Sequence, residues 1–170
     1  GSQVHGNDVA VVGRKDRGRG ASSQDTALPA VDGLVVKESG VWLTCYYADC
    51  VPLLFWDTQG NTVGIAHAGW RGTLAKVGLK AAAKMMEVSG ASPDEIHVLV
   101  GPAIGSCCYS VGEELAGGFD KAFGRKLLTR REGRIYLDLK EANREYLIRG
   151  GVPPEQIYIS GLCTSCLDRV

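Results

Sequence analysis

Short apolar runs dominate the first seventy residues, and a helical spacing then replaces them. Residues 9–12 form a β-branched run of strand type, and runs at 34–36 and 41–44 predict two strands joined by a turn at Ser39-Gly40. A third apolar run covers 51–56. Pro52 cannot donate a ladder hydrogen bond, so it belongs at the start or edge of that strand. After a turn over 57–61, residues 62–66 predict a strand that ends at His67. From there Leu74, Val77, Ala81, Met85 and Val88 fall on one face of a long helix, with Thr73 as its N-cap and Gly90 as its stop. Two further helices are predicted at 113–123 and 139–149, with a strand at 134–137 between them.

A weak internal echo links 90–98 to 151–159. Each stretch follows a helix, makes a proline turn, enters a strand and runs on into a loop that contains glycine and cysteine. Convergent turn chemistry explains the echo about as well as duplication does. His97, inside the first of these strands, reads as structural. Strands and helices intermix without a strict βαβ rhythm, which predicts a layered α/β or α+β domain.

Composition narrows the partners. The chain has 170 residues, which fits one domain. Lys plus Arg equals Asp plus Glu at 19 each, so nothing attracts a polyanion such as nucleic acid. The basic, glycine-rich stretch 14–23 reads as a solvated loop. No apolar run approaches the ~18 residues of a membrane span, and no signal peptide is visible, so a cytoplasmic protein is expected. Without secretory context the six cysteines are expected as reduced thiols. Only Cys163-Thr164-Ser165-Cys166 has the Cys-x-x-Cys form, and it reads as two small residues near the core. The leading Gly1-Ser2 and the stop at Val170 carry an expectation that native segments are missing at both ends.

The candidate chemistry rests on His5, Cys50 and His67. Two imidazoles and a thiolate can hold a zinc ion and leave a fourth position open, as catalytic zinc sites do. Cys50 and His67 alone also suit a thiol nucleophile and its base. Asp49 is a candidate proton carrier or supporting carboxylate, and equally a turn cap. Arg71, in a glycine-flanked turn before a helix, is a candidate for a phosphate. The stretch 101–109 is a strand-to-loop transition in which Gly101, Cys108 and Tyr109 are candidates to face a substrate, Tyr109 by stacking on a base. Three histidines are too few for a complete multicopper centre, and neither Met85 nor Met86 shares a short loop with the other ligands. Zinc is favoured, with copper as the alternative. The zinc nucleobase-deaminase signature is missing.

The segments Gln3-Val4-His5-Gly6, Ala48-Asp49-Cys50-Val51-Pro52, His67-Ala68-Gly69-Trp70-Arg71-Gly72 and the stretch from Gly101-Pro102 to Cys107-Cys108-Tyr109 resemble, in order, the YfiH-like laccase-domain family. The resemblance implies an α+β fold, a layered αββα sandwich with mixed sheets, similar to cysteine hydrolases of the cytotoxic-necrotising-factor type. It implies a mononuclear zinc on His5, Cys50 and His67. It further implies phosphorolysis of adenosine, inosine, guanosine and methylthioadenosine, with deamination of adenosine. The older family name implies a copper polyphenol oxidase, and a peptidoglycan-editing role has been attached to bacterial members. The chain departs from the family pattern in lacking its leading segment, its Phe-x-Ser-x-Arg-Arg segment and its Thr-Gly-Arg tail. Tyr47 stands where many members have threonine.

Overall fold

The structure, a computed structural model, describes residues 1–166. Its strands are β1 (Val9–Val11), β2 (Gly33–Val36), β3 (Val51–Asp57), β4 (Val63–Ala68), β5 (Ile96–Val100), β6 (Ser110–Val111), β7 (Leu128–Arg131), β8 (Arg134–Leu137) and β9 (Ile157–Ile159). Its helices are α1 (Trp70–Leu74), α2 (Val77–Ser89), α3 (Glu113–Phe123) and α4 (Leu139–Arg149). A six-stranded mixed sheet runs β1-β2-β4-β3-β5-β9, and a small antiparallel sheet runs β6-β8-β7. This is the expected α+β class with mixed sheets.

Alternation along the strands shows how the large sheet is covered. In β3, Leu53 and Phe55 are fully buried while Leu54 between them is exposed. The buried side meets α2, whose Val77, Ala81, Ala82 and Met85 are all at 0% exposure, and Leu147 of α4. Met85 is thus a packing residue, as its spacing predicts. On the opposite face, Trp56, His97 and Tyr158 stack nearly parallel, 5.3 Å apart for the first pair and 6.1 Å for the second. His97 is therefore structural, as expected.

The echo between 90–98 and 151–159 has a three-dimensional counterpart. Short 3-10 turns at Pro93–Glu95 and Pro154–Gln156 lead into β5 and β9, which lie side by side and parallel. The bridge continues past the strand ends at Ala103 and Cys163.

Two predicted elements differ, and two strands appear that the apolar pattern does not predict. Residues 41–44 form no strand, and Trp42 is 94% exposed. The reason is that both edges of β2 are taken, one by β1 and the other by β4, which leaves 41–44 no ladder to join. The long helix is broken in two, because Lys76 sits at φ 64° in the left-handed region. Thr73 is therefore not an N-cap. It lies inside α1, fully buried, where its hydroxyl accepts a hydrogen bond from Asn143 at 3.0 Å. Gly90 does end α2, at φ 80°. Strands β6 and β7 have no apolar alternation to betray them: β7 is Leu-Thr-Arg-Arg and mostly exposed.

Candidate metal centre

His5, Cys50 and His67 come from a turn, the head of β3 and the tail of β4. The pairing of Val51 with Ala68 and Pro52 with His67 sets the last two elements side by side. Pro52 sits at the start of its strand, as expected. Each of the three residues presents one donor atom within 4.8 Å of the others'. Among the described residues, no fourth His, Cys, Asp or Glu joins them. His67 is buried, Cys50 half-buried and His5 exposed, so the cluster opens to solvent on the His5 side. The two imidazoles meet edge-on, with ring centroids 4.8 Å apart.

The residue that organises this arrangement is Asp32, which the sequence does not single out. It is buried to 1% exposure just before β2. Its Oδ1 accepts from His67 Nδ1 at 2.9 Å and from the His5 backbone N–H at 3.0 Å. Its Oδ2 accepts from the backbone N–H groups of Val4 and Gly6 at 3.1 and 2.8 Å. One carboxylate thus fixes the His67 ring, leaving Nε2 to face a ligand, and holds the turn that carries His5. That turn puts His5 at φ 59°, a conformation that few side chains adopt without such support. Burial resists ionisation of Asp32, but the hydrogen bonds from His67, Gly6 and Val4 outweigh it and hold the carboxyl below its ordinary value.

Glycine at position 69 is a requirement of the site. A Cβ there would lie 2.9 Å from Cys50 Sγ and 3.0 Å from His5 Cδ2. Tyr47 flanks the site, its hydroxyl donating to the Ala66 carbonyl at 3.3 Å and its ring 5.8 Å from that of His67. Burial, then the charges of Asp49 and Asp32, push the Cys50 thiol above its ordinary value. Negative charge around a half-buried sulfur favours a cation there. The donor set, the fixed His67 ring and this field together fit a divalent ion of zinc type.

The remaining predicted residues lie in different settings. Asp49 accepts from the Thr164 hydroxyl at 2.5 Å, and its carbonyl accepts from the Ile104 N–H. Tyr109 is half-buried, and its phenol is pushed up by burial and then by the neighbouring Cys50. Gly101 is buried against Pro52, to whose carbonyl it donates at 2.8 Å. Arg71 is exposed in α1, with its guanidinium 4.3 Å over the Trp70 ring. Cys108 groups instead with Cys107, Cys163 and Cys166.

The family model described as multi-copper polyphenol oxidoreductase laccase matches residues 1–169. The chain belongs to this laccase-domain family. Among its relatives, Purine nucleoside phosphorylase YlmD of Geobacillus stearothermophilus is 44% identical over 168 residues, covering 96% of this chain and 61% of that protein. Adenosine deaminase RL5, from an unknown prokaryotic organism, is 37% identical over 168 residues, covering 96% of this chain and 64% of that one. The crystal structure of the Bacillus licheniformis hypothetical protein YfiH superposes with a TM-score of 0.91 at 39% identity, over 98% of this chain and 64% of that chain. This laccase-domain chain therefore spans about three-fifths of the length of the curated relatives it matches.

Proposed function

We propose that this chain carries the metal site of a zinc-dependent purine nucleoside phosphorylase that also deaminates adenosine. The observation that carries the reading is the convergence of His5, Cys50 and His67 on one open point, in a family whose relatives bear those two enzyme names. A zinc ion held there supplies Lewis acidity at the open position. The protein's own groups supply the rest. Asp32 keeps His67 in one tautomer and His5 in place. Arg71, four residues beyond His67, meets no carboxylate within 4 Å among the described residues, so its guanidinium is free to hold a phosphate. Tyr109 offers a ring for the purine base, and Asp49 a carboxylate for proton transfer.

The order Asp32, His67, Cys50 also resembles the triad of a cysteine hydrolase. Two features weigh against that reading. The Cys50 thiol is pushed up, whereas a nucleophilic thiol needs a depressed pKa. A triad also gives no work to His5, which Asp32 holds against the other imidazole. A multicopper oxidase centre has little to build on, since His97 is taken up in an aromatic stack and only two imidazoles reach the site. None of the six cysteines is in a disulfide, in keeping with a reducing compartment such as the cytoplasm, and no described helix is long and apolar enough to cross a membrane.

The test is product analysis with zinc-loaded protein extended to the length of its relatives. Adenosine with phosphate should give adenine and ribose 1-phosphate, and adenosine alone should give inosine. Inosine, guanosine and methylthioadenosine should also be cleaved when phosphate is present. Absence of every product would contradict the reading.

A further inference from the structure

The expectation that Cys163 and Cys166 are merely small residues near the core fails. Cys163 is buried, but Cys166 is exposed, and the fold brings both to Cys107 and Cys108. We propose that these four cysteines form a second, structural metal site, a tetrathiolate centre for zinc or iron that pins together the loops following β5 and β9.

Geometry carries the proposal. One sulfur from each of the four residues lies within 4.8 Å of the other three, and the Cys107 and Cys166 sulfurs are 3.5 Å apart. Four thiolates around a tetrahedral zinc, each at about 2.3 Å, stand about 3.8 Å from one another, so little movement closes this cluster on an ion. Four sulfurs in this disposition select zinc or iron over harder cations.

The surroundings look built for such a centre. The Gly105 N–H donates to Cys163 Sγ at 3.2 Å. A Cβ on Gly105 would stand 3.1 Å from Cys107 Sγ and 3.5 Å from Cys163 Sγ, so a side chain at this position would press on the cluster. Each loop is also gripped by a cation. Arg131 donates to the carbonyls of Ser106 and Cys107 at 2.8 and 3.1 Å. Lys140, only 8% exposed, donates to the carbonyls of Ser160 and Leu162 at 2.7 and 3.0 Å. Four thiolates around a divalent ion carry a net charge of about −2, which two flanking cations offset. The sequence echo explains how the ligands meet: two parallel neighbouring strands send out two loops at the same end, and each loop brings two cysteines.

This centre is separate from the nucleoside reading and stands or falls without it. The test uses the full chain, prepared under reducing conditions without chelator. Elemental analysis should find two metal ions per chain in the unaltered protein and one in the H5A/H67A variant. Metal-edge X-ray absorption on that variant should show a shell of four sulfurs at about 2.3 Å. The C107S/C166S variant should lose this ion and keep the other. No ion in H5A/H67A, a nitrogen or oxygen shell in that variant, or disulfides found by intact mass in place of metal would each overturn the proposal. If a variant fails to fold, metal-edge absorption on the unaltered chain decides the matter, because a sulfur shell larger than one cannot come from the open cluster, which offers a single thiolate.

Discussion

The two donor clusters follow different plans. His5, Cys50 and His67 come from three separated elements, and a buried carboxylate on a fourth holds two of them. The four thiols come as two pairs on loops that leave neighbouring strands at the same end, supported by an amide and two cations. Three donors leave a tetrahedral ion one free position, and four close it. With metal bound, the first cluster would present its ion to a ligand, and the second would hold loops together. They also touch: Thr164, between Cys163 and Cys166, donates to Asp49, next to Cys50. The closed cluster therefore abuts the open one.

Substitutions that separate the two have graded consequences. The largest effect belongs to His67→Ala, which removes a ligand and should weaken metal binding at the open cluster by more than about 100-fold, beyond the range for a supporting residue. Metal at the thiol cluster should persist in that variant, as elemental analysis would show.

Asp32→Asn comes next. An amide cannot serve both the His67 Nδ1–H and three backbone donors as a carboxylate does, so affinity at the open cluster should fall about 10–100-fold by competition titration. The same carboxylate sets a pH dependence. Its folded pKa is depressed, so its contribution is fully present above the unfolded value of about 4 and is lost as pH falls through the depressed folded value. Unfolding followed from pH 7 downward should show this loss only in acid, and Asp32→Asn should remove it.

Gly69→Ala should cost about 1–3 kcal/mol through crowding of Cys50 and His5, with the thiol cluster untouched. Thr164→Val should have the smallest effect. It deletes one hydrogen bond to Asp49, worth about 1 kcal/mol, and a thermal denaturation series would register it as a small shift.

Much of the open cluster is legible in the chain because its ligands are chemically rare and sit where apolar runs begin or end. His5, Cys50 and His67 stand out for that reason. Asp32 does not: a lone aspartate before a glycine looks like any turn, and only the fold shows its carboxylate taking four hydrogen bonds. The thiol cluster is hidden differently. Cys107-Cys108 lacks the usual spacing of a metal knuckle, and its partners lie more than fifty residues away. The register of β5 against β9 joins them. Secondary structure follows the same division. Strands with a buried face are readable from apolar spacing, whereas β7, with three exposed residues of four, is not. The break at Lys76 is invisible because the apolar spacing continues through it.

The most direct measurement is an anomalous difference map at the metal edge, taken from crystals of the zinc-loaded chain. A peak is expected within bonding reach of Cys50 Sγ and one ring nitrogen each of His5 and His67, with the fourth position facing solvent. No peak there, or a fourth protein side chain closing the ion, would contradict it.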